Sequence, residues 1–316
     1  MHKHIRIFGY KHMTLLRWLK ALSDDTRLRL LHMLSRYELS VGEIVQALGM
    51  SQPRVSRHLK ILADAGLLRV RRDGLWAFYS AAGNGEASEF VACLGPWLGQ
   101  EAGQASDLEA AEAVMAARRS ETRRFFNRVA PDWETMRREL LGRFDLSSAI
   151  LELLPRNAGP SGDLGCGTGG LLPDIAARSG KAIGVDNSQS MLDIARARFA
   201  AEPDIELRMG ELEHLPLRDG ELASAVMNLS LHYLSQPEQA VVEAARVLAP
   251  GGVLIIADFG RHDREDLRQR YGDRWLGFDE PDLRAWIAQA GLHLESLNAR
   301  PLESGLTLLL AVARKT

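Results

Sequence analysis

Asp163-Leu-Gly-Cys-Gly-Thr-Gly-Gly170 reads as a glycine-rich turn, and this stretch decides the fold of most of the chain. Glycine at 165, 167 and 169 admits backbone geometries closed to other residues and lets a ligand approach the main chain closely. Leu171-Leu-Pro-Asp-Ile-Ala-Ala177 follows as the helix that the turn opens, and Ala182-Ile-Gly-Val-Asp186 as a short apolar strand ending in an acid. Strand, turn, helix and strand make the first βαβ unit of a nucleoside-binding fold. Asp186 stands 21 residues beyond Gly165, near the spacing at which an acid meets a ribose.

A dinucleotide site is the obvious competitor, and the letters argue against it. The acid precedes the turn, as Asp163, and no residue pair remains at the helix start to cradle a pyrophosphate. Asp-Leu-Gly-Cys-Gly-Thr-Gly resembles motif I of class I S-adenosylmethionine (AdoMet) dependent methyltransferases, in which the leading acid faces the methionine end of the cofactor. Further segments resemble the same family in the same order. Met209-Gly-Glu-Leu-Glu-His-Leu-Pro216 is similar to its adenine-holding segment, Ala225-Val-Met-Asn-Leu-Ser-Leu-His-Tyr233 to its fourth strand, and Ala245 to Ile256 to its helix, turn and fifth strand. The resemblance implies AdoMet or S-adenosylhomocysteine (AdoHcy) as cofactor. It would be held by Asp163, Gly165, Cys166, Gly167, Asp186, Asn187, Met191, Gly210, Glu211, Leu212 and Asn228.

At 316 residues and 46% hydrophobic, the chain can bury two ordinary cores. The charge is unevenly divided between them. Residues 1–80 carry 14 Lys and Arg against 6 Asp and Glu, and the rest carries 25 against 35, so the basic quarter suits a polyanion. Cys93 and Cys166 are too few for a disulfide framework and form no metal-binding pair, while His2, His4 and His12 read as a tail. No signal peptide or apolar run near 18 residues is present, which makes the cytoplasm the expected location and a membrane partner unexpected.

In the basic quarter, Ser23-Asp-Asp starts a helix running to Leu34. Ser40 to Gly49 is a shorter helix ending in glycine, and Ser51-Gln-Pro-Arg-Val-Ser-Arg-His-Leu-Lys60 begins another after a tight break, which is helix-turn-helix spacing. At 100° per residue Val55, Leu59 and Leu62 share a core face, leaving Ser56, Arg57 and Lys60 outward with Arg54 at the flank. Ser51, Gln52, Arg54, Ser56, Arg57 and Lys60 are therefore the expected groove contacts. Leu67 to Tyr79 reads as two strands joined at Asp73-Gly74, a wing whose Arg71 and Arg72 would meet phosphates.

Ala21 to Leu31 and Ser51 to Leu67 resemble the ArsR/SmtB family of dimeric bacterial winged-helix repressors, which implies a homodimer on an inverted-repeat DNA operator. Where metal sensors of that family carry a Cys-Val-Cys pair, Ser40-Val41-Gly42 stands here, which argues against a metal site. The expected fold is an α+β winged helix-turn-helix domain (1–80), a helical dimerisation or linker region (81–121), and an α/β Rossmann-like class I methyltransferase domain (122–316). In the connector, Phe90, Val91, Leu94, Trp97 and Leu98 supply an apolar face and Cys93 is placed in the core. Residues 101–124 read as a polar helix, a spacer or a second dimer contact. Trp133 lies over the cofactor or in ordinary core.

No committed catalytic set is visible. Asn228 is followed by Leu-Ser-Leu rather than the Pro-Pro-Tyr of amine and nucleobase methyltransferases, and His232 is a weak candidate base. Asn157 to Asp163 lacks the usual apolar run, so the first strand must be short or distorted. The fusion resembles AdoHcy-responsive repressors of methionine-cycle genes. An active small-molecule methyltransferase that regulates its own expression is the alternative, and fold alone does not separate the two.

Overall fold

The structure, a computed structural model, describes residues 14–98, 102–156 and 159–316. His2, His4 and His12, Gln100 and Asn157 lie outside them. The chain divides into two units after Arg118.

In the first unit, α1 (residues 14–22) and α2 (Asp25–Leu34) precede β1 (Leu39–Ser40), α3 (Val41–Leu48) and α4 (Gln52–Asp64); a hairpin of β2 (Leu68–Asp73) and β3 (Trp76–Ala81) leads to α5 (Gly85–Leu94) and the start of α6 (Ala102–Val129). The α2 cap is one residue later than expected. Asp24 accepts from the Arg27 N–H, while Ser23 donates to the Lys20 carbonyl and closes α1. A capping box of Ser40 and Glu43 starts α3, and Gly49, at φ 61°, ends it. The antiparallel sheet runs β1-β3-β2. Leu30, Ile44, Val55, Leu59 and Leu62 are fully buried in one core, so the apolar periodicity of α4 marks its inner face correctly. Cys93 is exposed, against expectation: α5 turns Val91 inward, and Cys93, two residues on, lies on another face of the helix.

The second unit packs helices on a seven-stranded sheet ordered β6-β5-β4-β7-β8-β10-β9. After α7 (Trp133–Leu141) and α8 (Leu146–Leu153) come β4 (Ser161–Leu164), α9 (Leu172–Ser179), β5 (Ala182–Asp186), α10 (Gln189–Arg198), β6 (Ile205–Met209) and β7 (Leu222–Asn228). Then follow α11 (Pro237–Val247), β8 (Leu248–Phe259), α12 (Asp266–Arg270), α13 (Glu280–Gln289), β9 (Leu292–Pro301) and β10 (Thr307–Lys315). Strands β4 to β8 pair in parallel and β10 is antiparallel to both neighbours. The strand order reverses beside β4, and such reversals place ligand crevices at the carboxyl ends of strands.

The missing apolar run before Asp163 has a structural reason. β4 is only four residues long and wholly buried, yet its polar residues are accommodated: Ser161 Oγ lies 2.7 Å from Ser224 Oγ, and a Cβ on Gly162 would meet Leu222 at 2.5 Å. Its neighbour β7 ends at Asn228, so Leu231–Tyr233, expected as strand, is a 3-10 turn. Among the described residues no helix is long and apolar enough to cross a membrane, and no group of three metal-ligating side chains is assembled.

Candidate functional site

The outer face of α4 presents Ser51, Gln52, Arg54, Ser56, Arg57 and Lys60, all exposed, as the helical spacing requires. Two of these cations have neighbours: Arg54 reaches Thr26 Oγ1 at 3.4 Å, and Lys60 pairs with Asp64 at 2.8 Å in an exposed i,i+4 contact that competes weakly with a stronger anion. On the hairpin, Arg72 is exposed. Arg71 departs from expectation. Its side chain is buried over the Phe78 ring, 2.9 Å from Glu38 and 3.4 Å from Asp73, so it cannot serve as a phosphate contact. Successive strand side chains point to opposite faces, and Arg71 shares its face with Asp73 rather than with Arg72.

In the second unit a cavity opens at the carboxyl ends of β4, β5 and β7, the place where this strand order puts a ligand crevice. Asp163, Gly165, Cys166, Gly167, Asp186, Asn187, Met191, Leu212 and Asn228 line it. Gly210 and Glu211 do not. A Cβ at Gly210 would meet Pro216 at 2.4 Å, so this glycine serves a tight turn, and Glu211 lies 3.7 Å from Arg119.

Gly165 has φ 85° and a Cβ there would lie 2.8 Å from Ser230, which explains the glycine at that corner. Asp186 holds the turn in place: one carboxylate oxygen accepts the Gly167 N–H at 2.9 Å and the other accepts the Ser188 N–H at 2.8 Å. Trp133 packs over the turn, its Nε1 3.4 Å from where a Gly167 Cβ would sit, and its ring meets Phe126 and Tyr233 edge to face.

Three polar atoms around this cavity lack hydrogen-bond partners among the described residues: Asp163 Oδ1, Asn228 Oδ1 and Arg137 Nε. Burial pushes the Asp163 carboxyl up to about 7; nearby Arg137 opposes the shift and Asp186 adds to it. Burial likewise raises Asp186, against its backbone hydrogen bonds, and keeps the Cys166 thiol protonated. A carboxylate, an amide oxygen and a guanidinium around one cavity match an ammonium and a carboxylate on the same ligand. Arg137 and Phe126 went unmarked in the sequence. The available signal was α7 itself, which sets Trp133 and Arg137 four residues apart on one face.

His232 does not line the cavity. It is fully buried, with Nδ1 2.6 Å from Asp258 and Nε2 3.8 Å from Asp273. Burial lowers its pKa, but the two carboxylates outweigh this and the net shift is upward. Asp258 also accepts the Leu231 and Phe259 N–H groups, so the cluster clasps the ends of β7 and β8.

A profile described as "Methyltransferase domain" matches residues 162–256, and one described as "Bacterial regulatory protein, arsR family" matches residues 24–70. An uncharacterised 37.1 kDa protein of a Streptomyces fradiae transposon is 39% identical over 130 residues, 40% of this chain and 37% of that protein. The arsenic resistance transcriptional regulator ArsR1 of Pseudomonas putida is 49% identical over 19% of this chain and 48% of its own length. The ubiquinone/menaquinone biosynthesis C-methyltransferase UbiE of Syntrophotalea carbinolica is 33% identical over 45% of this chain and 62% of its own. The chain thus spans less than two thirds of each of these relatives. It joins an ArsR-family helix-turn-helix domain to a class I methyltransferase domain with a mostly parallel central sheet.

Proposed function

We propose that the protein is a DNA-binding transcriptional repressor whose methyltransferase-like domain binds AdoMet or AdoHcy as effector, in the cytoplasm, acting on methionine-cycle genes. Three atoms without hydrogen-bond partners, Asp163 Oδ1, Asn228 Oδ1 and Arg137 Nε, carry the effector part of this reading, because they fit the amino-acid end that both molecules share. The residues fit the group: Asp163 would take its ammonium, Arg137 its carboxylate, and Asp186 the ribose hydroxyls. Withdrawal of His232 from the cavity favours sensing over catalysis. Half-exposed Leu16 and Leu19 on α1, with Trp97 at 73% exposure, support a homodimer. The second reading, a small-molecule methyltransferase that regulates its own expression, is favoured by the methyltransferase profile match.

Titrating AdoMet and AdoHcy against the complex with a selected operator duplex separates the two. Release of DNA at effector concentrations that saturate the protein, with no methyl transfer, supports the repressor; an unmoved complex with saturated protein sinks it. Arg57→Ala is expected to weaken operator binding by about 1–3 kcal/mol, with relaxed choice at one base pair, as befits a groove contact. Gel-shift titration against operators mutated singly measures this.

Asp186→Asn tests the effector site more cleanly than Asp186→Ala, since Asp186 also anchors the glycine turn. Losing a charged acceptor should cost roughly 1.5–3 kcal/mol of AdoHcy affinity. The variant should keep its operator at effector concentrations that release the wild type, as read by fluorescence anisotropy.

A further inference from the structure

One helix contributes to both the winged-helix core and the cavity. From the first half of α6, Asp107 grips Arg29 of α2 through two bonds of 2.6 and 2.7 Å, and Ala111 and Met115 are buried in the winged-helix core. Arg118, three residues past Met115, ion-pairs with Glu43 Oε1. The other oxygen of Glu43 accepts the Ser40 N–H at 2.7 Å, in the capping box that starts α3, the first helix of the helix-turn-helix. One turn beyond Arg118 the same helix brings Thr122 to the cavity, and a further turn brings Phe126. Asn127 then accepts from Ser188 Oγ at 2.7 Å and from the Ser190 N–H at 3.3 Å, at the start of α10 and two residues from Asp186.

We propose that α6 transmits occupancy of the cavity to the DNA-reading helices, with the Arg118–Glu43 pair as the contact that passes it to α3. This rests on the reading of the chain as a ligand-responsive regulator and adds its route. Backbone hydrogen bonds every four residues make the single turn between Arg118 and Thr122 move as one piece, so a shift imposed at Phe126 and Thr122 reaches the Arg118 guanidinium. Glu43 is held from two sides, by Arg118 and by the Ser40 N–H. A change in the first bond alters the cap that fixes the start of α3. Coupling requires only that the ligand bind two placements of α6 with different affinity.

Two variants test the route. Arg118→Gln removes the charge that engages Glu43; Ser120→Pro breaks the helix between Arg118 and Thr122 without removing a residue buried in either core, with Ser120→Ala as its control. AdoHcy affinity is read by calorimetry, and operator affinity by anisotropy with and without saturating AdoHcy. In the wild type the ratio of the two operator affinities is expected to be about tenfold or more. Both variants should bring it towards one while AdoHcy affinity stays within about threefold of wild type. Wild-type ratios in Arg118→Gln and in folded Ser120→Pro overturn the route and leave the regulator reading standing. A ratio of one in the wild type overturns both. If Ser120→Pro does not fold, Arg118→Gln decides alone.

Discussion

Asp163→Asn is expected to abolish measurable AdoHcy binding and, at pH 8, to make the ligand-free protein more stable than the wild type. Both effects follow from one carboxyl that is 2% exposed and has an unpartnered oxygen. Its pKa of about 7 in the folded protein stands above the ordinary carboxylate value near 4. Between those values the folded chain keeps a proton that the unfolded chain has released. The carboxyl's contribution to stability is therefore fully present below about pH 4 and is lost as pH rises through 7. Complete loss amounts to roughly 4 kcal/mol, an upper figure that relaxation and water would reduce. Asparagine does not ionise, so the gap in melting temperature between variant and wild type should widen from pH 5 to pH 8.

Ligand binding should show the opposite face of the same linkage. An ammonium pairs with the ionised carboxylate, so AdoHcy affinity in the wild type should fall by up to about tenfold per pH unit below 7 and level off above it. Calorimetry across that range, beside thermal melts of both proteins, measures the two effects together. Wild-type affinity independent of pH, with undiminished binding by Asp163→Asn, would falsify the assignment of Asp163 to the ligand ammonium.

How much of this was legible depends on whether a feature is local. The glycine turn, the end of α3 at Gly49 and the apolar stripe of α4 are each set by residues within a few positions, and each appears in the structure as the sequence implies. The features that sequence concealed depend on distant partners. Ser161 and Gly162 look wrong for a buried strand until Ser224 and Leu222 are beside them. Cys93 passes for core because its neighbours on α5 are apolar, and only the packing of Val91 fixes which face points inward. His232 resembles a base until Asp258 and Asp273 close around it. Arg137 carries no motif; it enters the site because α7 packs beside the glycine turn, where Glu134 accepts a hydrogen bond from Thr168 at 2.7 Å.

Arg71 and Arg72 are the sharpest case, because adjacent residues of one type should behave in opposite ways. Arg71→Ala leaves Glu38 and the fully buried side chain of Asp73 without the cation between them. Breaking a buried pair in this way costs about 3–5 kcal/mol, reduced here by the partial exposure of Glu38. The winged-helix domain should melt earlier and operator binding should be lost with the fold. Arg72→Ala should change stability by less than about 0.5 kcal/mol, as exposed substitutions do. Its effect should appear instead in the salt dependence of binding, with the slope reduced by about one and all sequences weakened alike. Removing the acids' charge along with the arginine, in Arg71→Met with Glu38→Gln and Asp73→Asn, should recover part of the stability, because the penalty comes from carboxylates that have lost the Arg71 cation. Thermal melts and anisotropy at two salt concentrations distinguish these outcomes. An Arg71→Ala protein of wild-type stability with a lowered salt slope would return Arg71 to the phosphate contacts, and the ion pair with Glu38 would not be the reason the residue is there.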